Sequence, residues 1–175
     1  MKKPDIDFDE IQKAMEDTVR DAFEYFLDIE SGRVIILSQE IINRAWQILR
    51  ESVDDDMADY EEVEFDEVAD IPEWMEDEIE LALNIFISEK ERYMRIPERN
   101  PRHCFAAMIE FTRGLENVEL KAKLTSILDG KGAFRRFKDA LEHYPQERKL
   151  WYGFNAKTAK QEIEGWLKSI RGEHT

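Results

Sequence analysis

Apolar residues within positions 1–50 change their spacing twice, and each spacing predicts a different element. A helical spacing comes first, behind Asp5 or Asp7 as capping residue, with apolar positions Phe8, Ile11, Met15 and Val19. Apolar and acidic residues then alternate over 23–30, which is typical of a strand, and Ser31-Gly32 supplies a hairpin turn into residues 33–37. Because an isolated hairpin is marginally stable, we expect it to lie on helices or to pair with further strands.

Helical spacing returns after Ser38, a candidate N-cap. The apolar face of this helix comprises Ile41, Ile42, Ala45, Ile48 and Leu49. An acid-rich segment follows, in which Val63 and Phe65 suit a short strand, although repulsion between its carboxylates favours a loop.

From Pro72 onward the pattern predicts helices. Pro72 suits the start of one, and Glu73 and Glu76 suit its first turn, where the helix dipole is positive. Its core face comprises Met75, Ile79, Ala82, Leu83 and Phe86. The stretch "RYMRIPERNPRH", residues 92–103, contains two prolines and predicts an extended connector.

Two asparagines mark the next helix starts. Asn100 precedes Pro101, a favourable first helical residue, and Asn117 precedes the following helix. Gly130 suits the left-handed residue that ends this second helix. The apolar positions of these two helices and of a final one are Phe105, Met108, Ile109 and Phe111; Leu120, Leu124, Ile127 and Leu128; and Ala159, Ile163, Trp166, Leu167 and Ile170.

The predicted fold class is α+β, with an N-terminal helix and β-hairpin followed by a mainly helical C-terminal bundle. We expect a single domain over residues 1–175. Its parts are a helix–hairpin–helix part over 1–50, an acidic loop over 51–71 and a helical part over 72–172.

Composition narrows the class of protein. No apolar run approaches the roughly 18 residues of a membrane span, and the N-terminal "MKKPDIDFDE" lacks the apolar stretch of a secretory signal. The single cysteine, Cys104, excludes an internal disulfide and a cysteine-based zinc site. We expect a soluble cytoplasmic protein with no cofactor and no membrane contact.

The net charge of −15 is concentrated in one stretch. Residues 51–80 contain 16 Asp or Glu and no Lys or Arg, so the remainder of the chain carries +1. Since the Debye length at physiological salt is about 8 Å, a basic patch farther than that from the acidic stretch can still attract an anion.

A basic segment, "DGKGAFRRFKDAL" at residues 129–141, contrasts with this acidity. On a helix from 133 to 144, Arg135 and Arg136 point away from a buried stripe and Lys138 lies at its edge. The predicted stripe consists of Phe134, Phe137, Leu141 and Tyr144.

The glycines of this segment allow two interpretations. Gly130 and Gly132 flank Lys131 before a helix N-terminus, where backbone N–H groups can bind an anion. Alternatively, Gly130 ends one helix, Gly132 permits a sharp corner, and the arginines pair with carboxylates of neighbouring helices. The phosphate-loop pattern GxxxxGK[ST] is absent, because Thr125 and Gly132 stand where it needs Gly and Ser or Thr.

A second candidate surface joins Trp151, Tyr152 and Phe154 to Arg148 and Lys149, a combination that can stack on nucleic-acid bases. In the alternative, Leu150, Trp151 and Phe154 pack on the predicted stripe and only Tyr152 is exposed. The candidate ligand-binding residues of the chain are Lys131, Gly132, Arg135, Arg136, Lys138 and Tyr152.

Several stretches resemble an uncharacterised bacterial protein family, number 0158 of the UPF series. They are "FLDIESGRVIIL", "YMRIP", "FAAMIEF" and, most specifically, "GKGAFRRFKDAL" followed by "WYGF". The resemblance covers most of the chain and is weakest in the acidic stretch. It implies a bacterial cytoplasmic protein of unassigned role, and it transfers no catalytic residue.

The sequence contains no pattern typical of a catalytic or metal-binding site. Cys104 follows His103, but adjacent helical residues do not face each other, and a free cysteine is commonly buried as a small apolar residue. The acidic stretch lacks the glycine and ligand spacing of a calcium loop, and no paired-histidine zinc motif occurs.

Three functions of different classes therefore remain. The first is a noncatalytic binding or regulatory protein whose acidic surface, together with an exposed Trp74, engages a basic protein partner. The second is anion or nucleic-acid binding through Gly130–Lys138, together with Arg92, Arg95, Arg99 and Arg102, which the net charge opposes. The third is an enzyme assembled from separate helices. We expect the first.

Overall fold

The computed structural model describes residues 4–17, 20–53, 71–88 and 92–172. The chain divides into two compact units, Met1–Pro97 and Glu98–Thr175. Some predictions lie outside the described residues: the place of Val19, residues 54–70 of the acidic loop, and the strand at Val63 and Phe65.

The first unit combines helices with a small sheet. Its elements are α1 (Phe8–Glu16), β1 (Phe23–Asp28), β2 (Val34–Ser38), α2 (Gln39–Val53), a 3-10 turn (Glu73–Met75), α3 (Glu76–Ile87) and β3 (Tyr93–Arg95). The Asp7 carboxylate caps α1 by accepting hydrogen bonds from the N–H groups of Asp9 and Glu10, at 3.0 and 3.2 Å. The Ser38 hydroxyl accepts one from Ile41, as expected of the N-cap of α2. These outcomes confirm the predicted helix–hairpin–helix order.

The sheet has the order β2-β1-β3, and both pairs are antiparallel. Strand β1 pairs with β2 as a hairpin whose turn contains Gly32 at φ +78°. On its other side it pairs with β3, with Phe26 opposite Arg95. The connector predicted over 92–103 is extended at Tyr93–Arg95, as expected, but it pairs there as a third strand, which the sequence did not indicate. Three residues are too few to display a strand period, and their partner lies more than 60 positions earlier in the chain.

Two helices cover one face of this sheet. Phe26 of β1 and Leu37 of β2 join the buried face of α2 and α3 in one apolar cluster. Phe86 of α3 lies in edge contact with Phe26 and stacks on Trp46 of α2, with ring centroids 6.5 and 4.8 Å apart. The apolar faces of α2 and α3 thus pack in the same core, as the spacing of their apolar residues predicts.

The second unit is helical in its described part: α4 (Pro101–Arg113), α5 (Val118–Leu128), α6 (Ala133–Leu141) and α7 (Pro145–Ile170). The side-chain oxygens of Asn100 and Asn117 accept hydrogen bonds from first-turn N–H groups, which confirms both predicted caps. Together with the first unit, this confirms the predicted α+β class.

The corner between α5 and α6 differs from the prediction. The left-handed residue is Gly132, with φ +68°, and not Gly130. Helix α6 ends at Leu141, so Tyr144 lies before α7 instead of continuing the predicted helix to 144. Pro145 explains this end, because proline occupies the first turn of a helix and cannot continue the preceding one.

An aromatic cluster forms the core of this unit. Phe137 is fully buried, with its ring centroid 5.0 Å from that of Trp151 and 6.4 Å from that of Phe111. Phe134 is 43% exposed, so the prediction that both phenylalanines point inward was wrong for this one. The inward positions beside Phe137 are Ala133, Ala140 and Leu141. Two small alanines permit the close approach of neighbouring helices, a role that a search for large apolar residues misses.

Candidate functional site

The predicted basic segment presents its cations to solvent. Arg135 is the most exposed, with a side chain 90% accessible, and its Nε lies 3.9 Å from the Asp139 carboxylate one turn later. Lys131, Gly132 and Lys138 are exposed as well. The prediction that the arginines face outward is confirmed, and a pair as open as Arg135–Asp139 adds little stability.

Arg136 folds back over the corner before α6. Its Nη1 atom lies 3.0 Å from the position that a Cβ atom would take at Gly130, so the missing side chain leaves room for the guanidinium. Gly132, in turn, has the backbone conformation that side chains disfavour. Both glycines are accounted for by the shape of the corner.

Tyr152 lies on another element, α7, and is exposed. Its neighbours Trp151 and Phe154 pack around Phe111, at centroid distances of 5.3 and 5.7 Å. This agrees with the alternative of core packing, except that Leu150 is exposed. No hydrogen bond or ring contact among the described residues joins Tyr152 to α6.

A second surface surrounds Trp74 on the outward side of the 3-10 turn and α3. Its indole is 70% exposed, the largest exposure of any aromatic residue in the described part of the chain. Five exposed carboxylates lie around it in sequence: Glu73, Glu76, Asp77, Glu78 and Glu80. None of them forms an ion pair with another described residue. We call these six residues the Trp74 surface.

A polar network that sequence reasoning missed joins α7 to the residues before and within α4. The buried Arg99 donates from Nε to Glu162 at 2.7 Å and from Nη1 to the side-chain oxygen of Asn155 at 2.6 Å. The Nδ1 atom of His103 lies 2.7 Å from the other oxygen of Glu162. His103 therefore pairs with the Glu162 carboxylate. The spacing of Asn155 and Glu162, seven residues or two helical turns, was the one local sign of a shared face.

A second ionic cluster lies at the hairpin turn of the first unit, which contains the sheet. Asp28 accepts two hydrogen bonds from the Arg92 guanidinium, both at 3.1 Å, one from the Ser31 hydroxyl at 2.7 Å and one from the Glu30 N–H at 3.1 Å. Burial raises the pKa of Asp28, but these hydrogen bonds outweigh it and lower the pKa to about 2. The same contact raises the pKa of Arg92. Because Arg92 directly precedes β3, this cluster connects β3 to the hairpin turn and stabilises the sheet.

Neither unit presents a metal centre or a membrane span within its described residues. No group of three or more metal-ligating side chains comes together there. No described helix is both long enough and apolar enough to cross a bilayer.

A family model described as Uncharacterised protein family (UPF0158) matches residues 68–172, more than half of the chain. The chain belongs to this family. No curated protein and no solved structure matches it. The UPF0158 match contains the Trp74 surface, α6 and the Arg99 network, whereas β1 and β2 precede it.

Proposed function

We propose that this protein is a noncatalytic binding protein that engages a cationic protein partner through the Trp74 surface. The observation that carries the proposal is the exposure of Trp74 amid carboxylates that have no ion-pair partner among the described residues. A solvent-facing indole costs solubility, and aromatic anchors of this kind dominate the binding energy of protein interfaces.

The charge of the whole unit favours the same partner. Residues 1–97 contain 29 Asp or Glu and 10 Lys or Arg, a net charge of −19. Such a field accelerates encounter with a cationic protein and disfavours nucleic acid, whose phosphates it repels. The indole then supplies the short-range contact that charge alone does not.

The test begins with co-purification from a cell extract at low salt, about 50 mM, with release at about 500 mM as the electrostatic criterion. The captured protein is identified, purified and titrated against three variants of the chain. Trp74→Ala should weaken binding at least about tenfold, as expected for an anchor residue. Glu76→Lys/Asp77→Lys should weaken it mainly by slowing association.

The matched control places the same change of charge on the other unit, Glu116→Lys/Glu119→Lys, where both side chains are exposed. It should bind like the unmodified protein, apart from a small effect of net charge. Equal affinities for the control and the Trp74→Ala variant would refute the proposal. So would the absence of any partner released by salt.

A second candidate function rests on α6. Residues 98–175 contain 15 Lys or Arg and 11 Asp or Glu, a net charge of +4, and Arg135 offers an almost fully open guanidinium. These features support binding of an anion or of single-stranded nucleic acid. Anisotropy titration with single-stranded RNA should distinguish Arg135→Glu/Arg136→Glu from Lys157→Glu/Lys168→Glu, a control with the same change of charge. Equal binding by both variants would exclude α6 as the site.

A further inference from the structure

Strand β2 has one edge to which no described strand is paired. It forms its ladder with β1 only, because β1 is the central strand of the sheet. Two backbone hydrogen bonds continue the hairpin ladder at its ends: Asp28 N–H to the Arg33 carbonyl, at 2.9 Å, and Gln39 N–H to the Ala22 carbonyl, at 2.8 Å. In an antiparallel pair such bonded residues alternate with residues whose N–H and C=O groups point away from the partner. By this alternation, Val34 and Ile36 direct their backbone groups outward.

The two outer edges of the sheet are protected differently. Strand β3 has three residues, ends in Arg95 and is followed by Pro97, and shortness, charge and proline all discourage the addition of a strand. Strand β2 has five residues, "VIILS", without charge or proline. Its central residue, Ile36, is 58% exposed. It therefore carries none of these protections.

A groove of about 310 Å³ adjoins the exposed strand. One wall consists of the side chains of Tyr25, Val34 and Ile36, and the other consists of Glu10, Lys13 and Asp17 at α1 and its end. Tyr25 donates a hydrogen bond to Asp17, which links the two walls. A strand added beside β2 would place every second side chain over the apolar wall, next to Val34 and Ile36.

We propose that the outer edge of β2 binds an extended cationic segment of a protein partner, as a fourth strand with alternating apolar and basic residues. The apolar side chains lie along the groove wall, next to Val34 and Ile36. The groove contributes Glu10 and Asp17 against Lys13, and the net charge of −19 over residues 1–97 favours a cationic segment over an anionic one. A second copy of the chain fits the edge less well, because each copy contributes 29 acidic and only 10 basic residues in positions 1–97. This site is independent of the Trp74 surface and requires no contact with it.

The probe is the capped peptide KVKVKVK, titrated into the ¹⁵N-labelled full chain, with EVEVEVE as the charge-inverted control. Saturable binding of the cationic peptide should slow hydrogen exchange at the Val34 and Ile36 amides. The rate should fall about tenfold at 90% saturation, since only the free fraction exchanges. The anionic peptide should not bind.

Three substitutions at Ile36 separate backbone pairing from side-chain effects. Ile36→Pro removes an outward N–H that forms no hydrogen bond with β1. Ile36→Lys keeps this N–H but repels the cationic peptide. Each substitution should weaken peptide binding at least tenfold. Ile36→Thr keeps both the N–H and the neutrality and should bind within about twofold. If the proline variant does not fold, the lysine and threonine variants still decide the question.

Four results would overturn the proposal: no saturable binding, equal binding of the anionic peptide, unchanged affinity in Ile36→Lys, or protection of these amides by concentration-dependent dimerisation. The last would assign the edge to a second copy. Trp74→Ala should leave peptide binding unchanged, so failure at this edge and failure of the proposed function give different results.

Discussion

Replacing Asp28 by Asn should destabilise the sheet unit by an amount that decreases as the pH falls. The Asp28 side chain is only 8% exposed, and its two oxygens accept hydrogen bonds from Arg92, Ser31 and Glu30. Asparagine has nearly the same shape and keeps one acceptor oxygen, but it carries no charge at any pH. Its NH2 group also faces donors at every pH, so the pH-dependent part of the effect is what isolates the carboxylate charge.

The magnitude follows from the pKa of Asp28, which falls from 3.8 to about 2 on folding although burial opposes the change. Because the pKa is lower in the folded state, the stabilisation is complete above the unfolded value and disappears as the pH falls through the folded one. A shift of nearly two units corresponds to roughly 2 kcal/mol at neutral pH, of which about half remains at pH 3.

The assay is urea unfolding of both proteins at about pH 7, 5, 4 and 3, with hydrogen exchange of the β1 amides to locate the effect. The difference between the two free energies of unfolding should decrease by roughly 1 kcal/mol from pH 7 to pH 3, because about half of the charge contribution is lost over that range. Titration of the other carboxylates cancels in this difference. Asp21→Asn, at an exposed position, is the control and should change stability by less than about 0.5 kcal/mol. A difference that stays constant from pH 7 to pH 3 would refute the reasoning.

Two further predictions concern the second unit. Phe137→Ala should lower the free energy of unfolding in urea by about 3–5 kcal/mol, because the Phe137 ring is fully buried. Phe134→Ala should lower it by less than about 1.5 kcal/mol. Equal losses in the two variants would contradict the observed burial. Gly132→Ala should cost about 1–2 kcal/mol, because Gly132 has a positive φ. Gly130→Ala should cost less, since only the flexible end of Arg136 must move, and the reverse order would place the left-handed residue at Gly130.

Local patterns were sufficient for most of the elements. Capping residues predicted the starts of α1, α2, α4 and α5, because a cap and the first turn it serves lie within four residues of each other. The hairpin followed from alternation and a glycine turn. These signals are informative because each depends on contacts between residues that are close in the sequence, so all the residues that it requires lie in one stretch.

The remaining features depend on contacts that are distant in sequence. Strand β3 is defined by its pairing with β1, and Arg99 by Glu162, 63 residues away. In the sequence Arg99 cannot be distinguished from Arg102, which is exposed. The inward face of α6 was mistaken at Phe134 for a related reason. The helical period fixes the direction of a side chain on its own helix, but the position of the neighbouring helices decides how much of it is covered.

The difference between charged groups with and without internal partners bears on the Trp74 surface. Charged groups such as Asp28, Arg99 and Glu162 are held by several internal partners, so their positions are explained by the fold. The carboxylates of the Trp74 surface have no ion-pair partner among the described residues. Glu76, Asp77 and Glu78 favour the positive N-terminal end of the α3 dipole, but the fold gains no ion pair from the cluster and loses some stability through repulsion. Solubility would account for exposed charges, but it does not account for a tryptophan that is 70% exposed beside them in the sequence. An aromatic ring within a field of one sign is suited to a partner of opposite charge that covers the ring, and this combination makes Trp74 the residue on which the proposed function should be tested first.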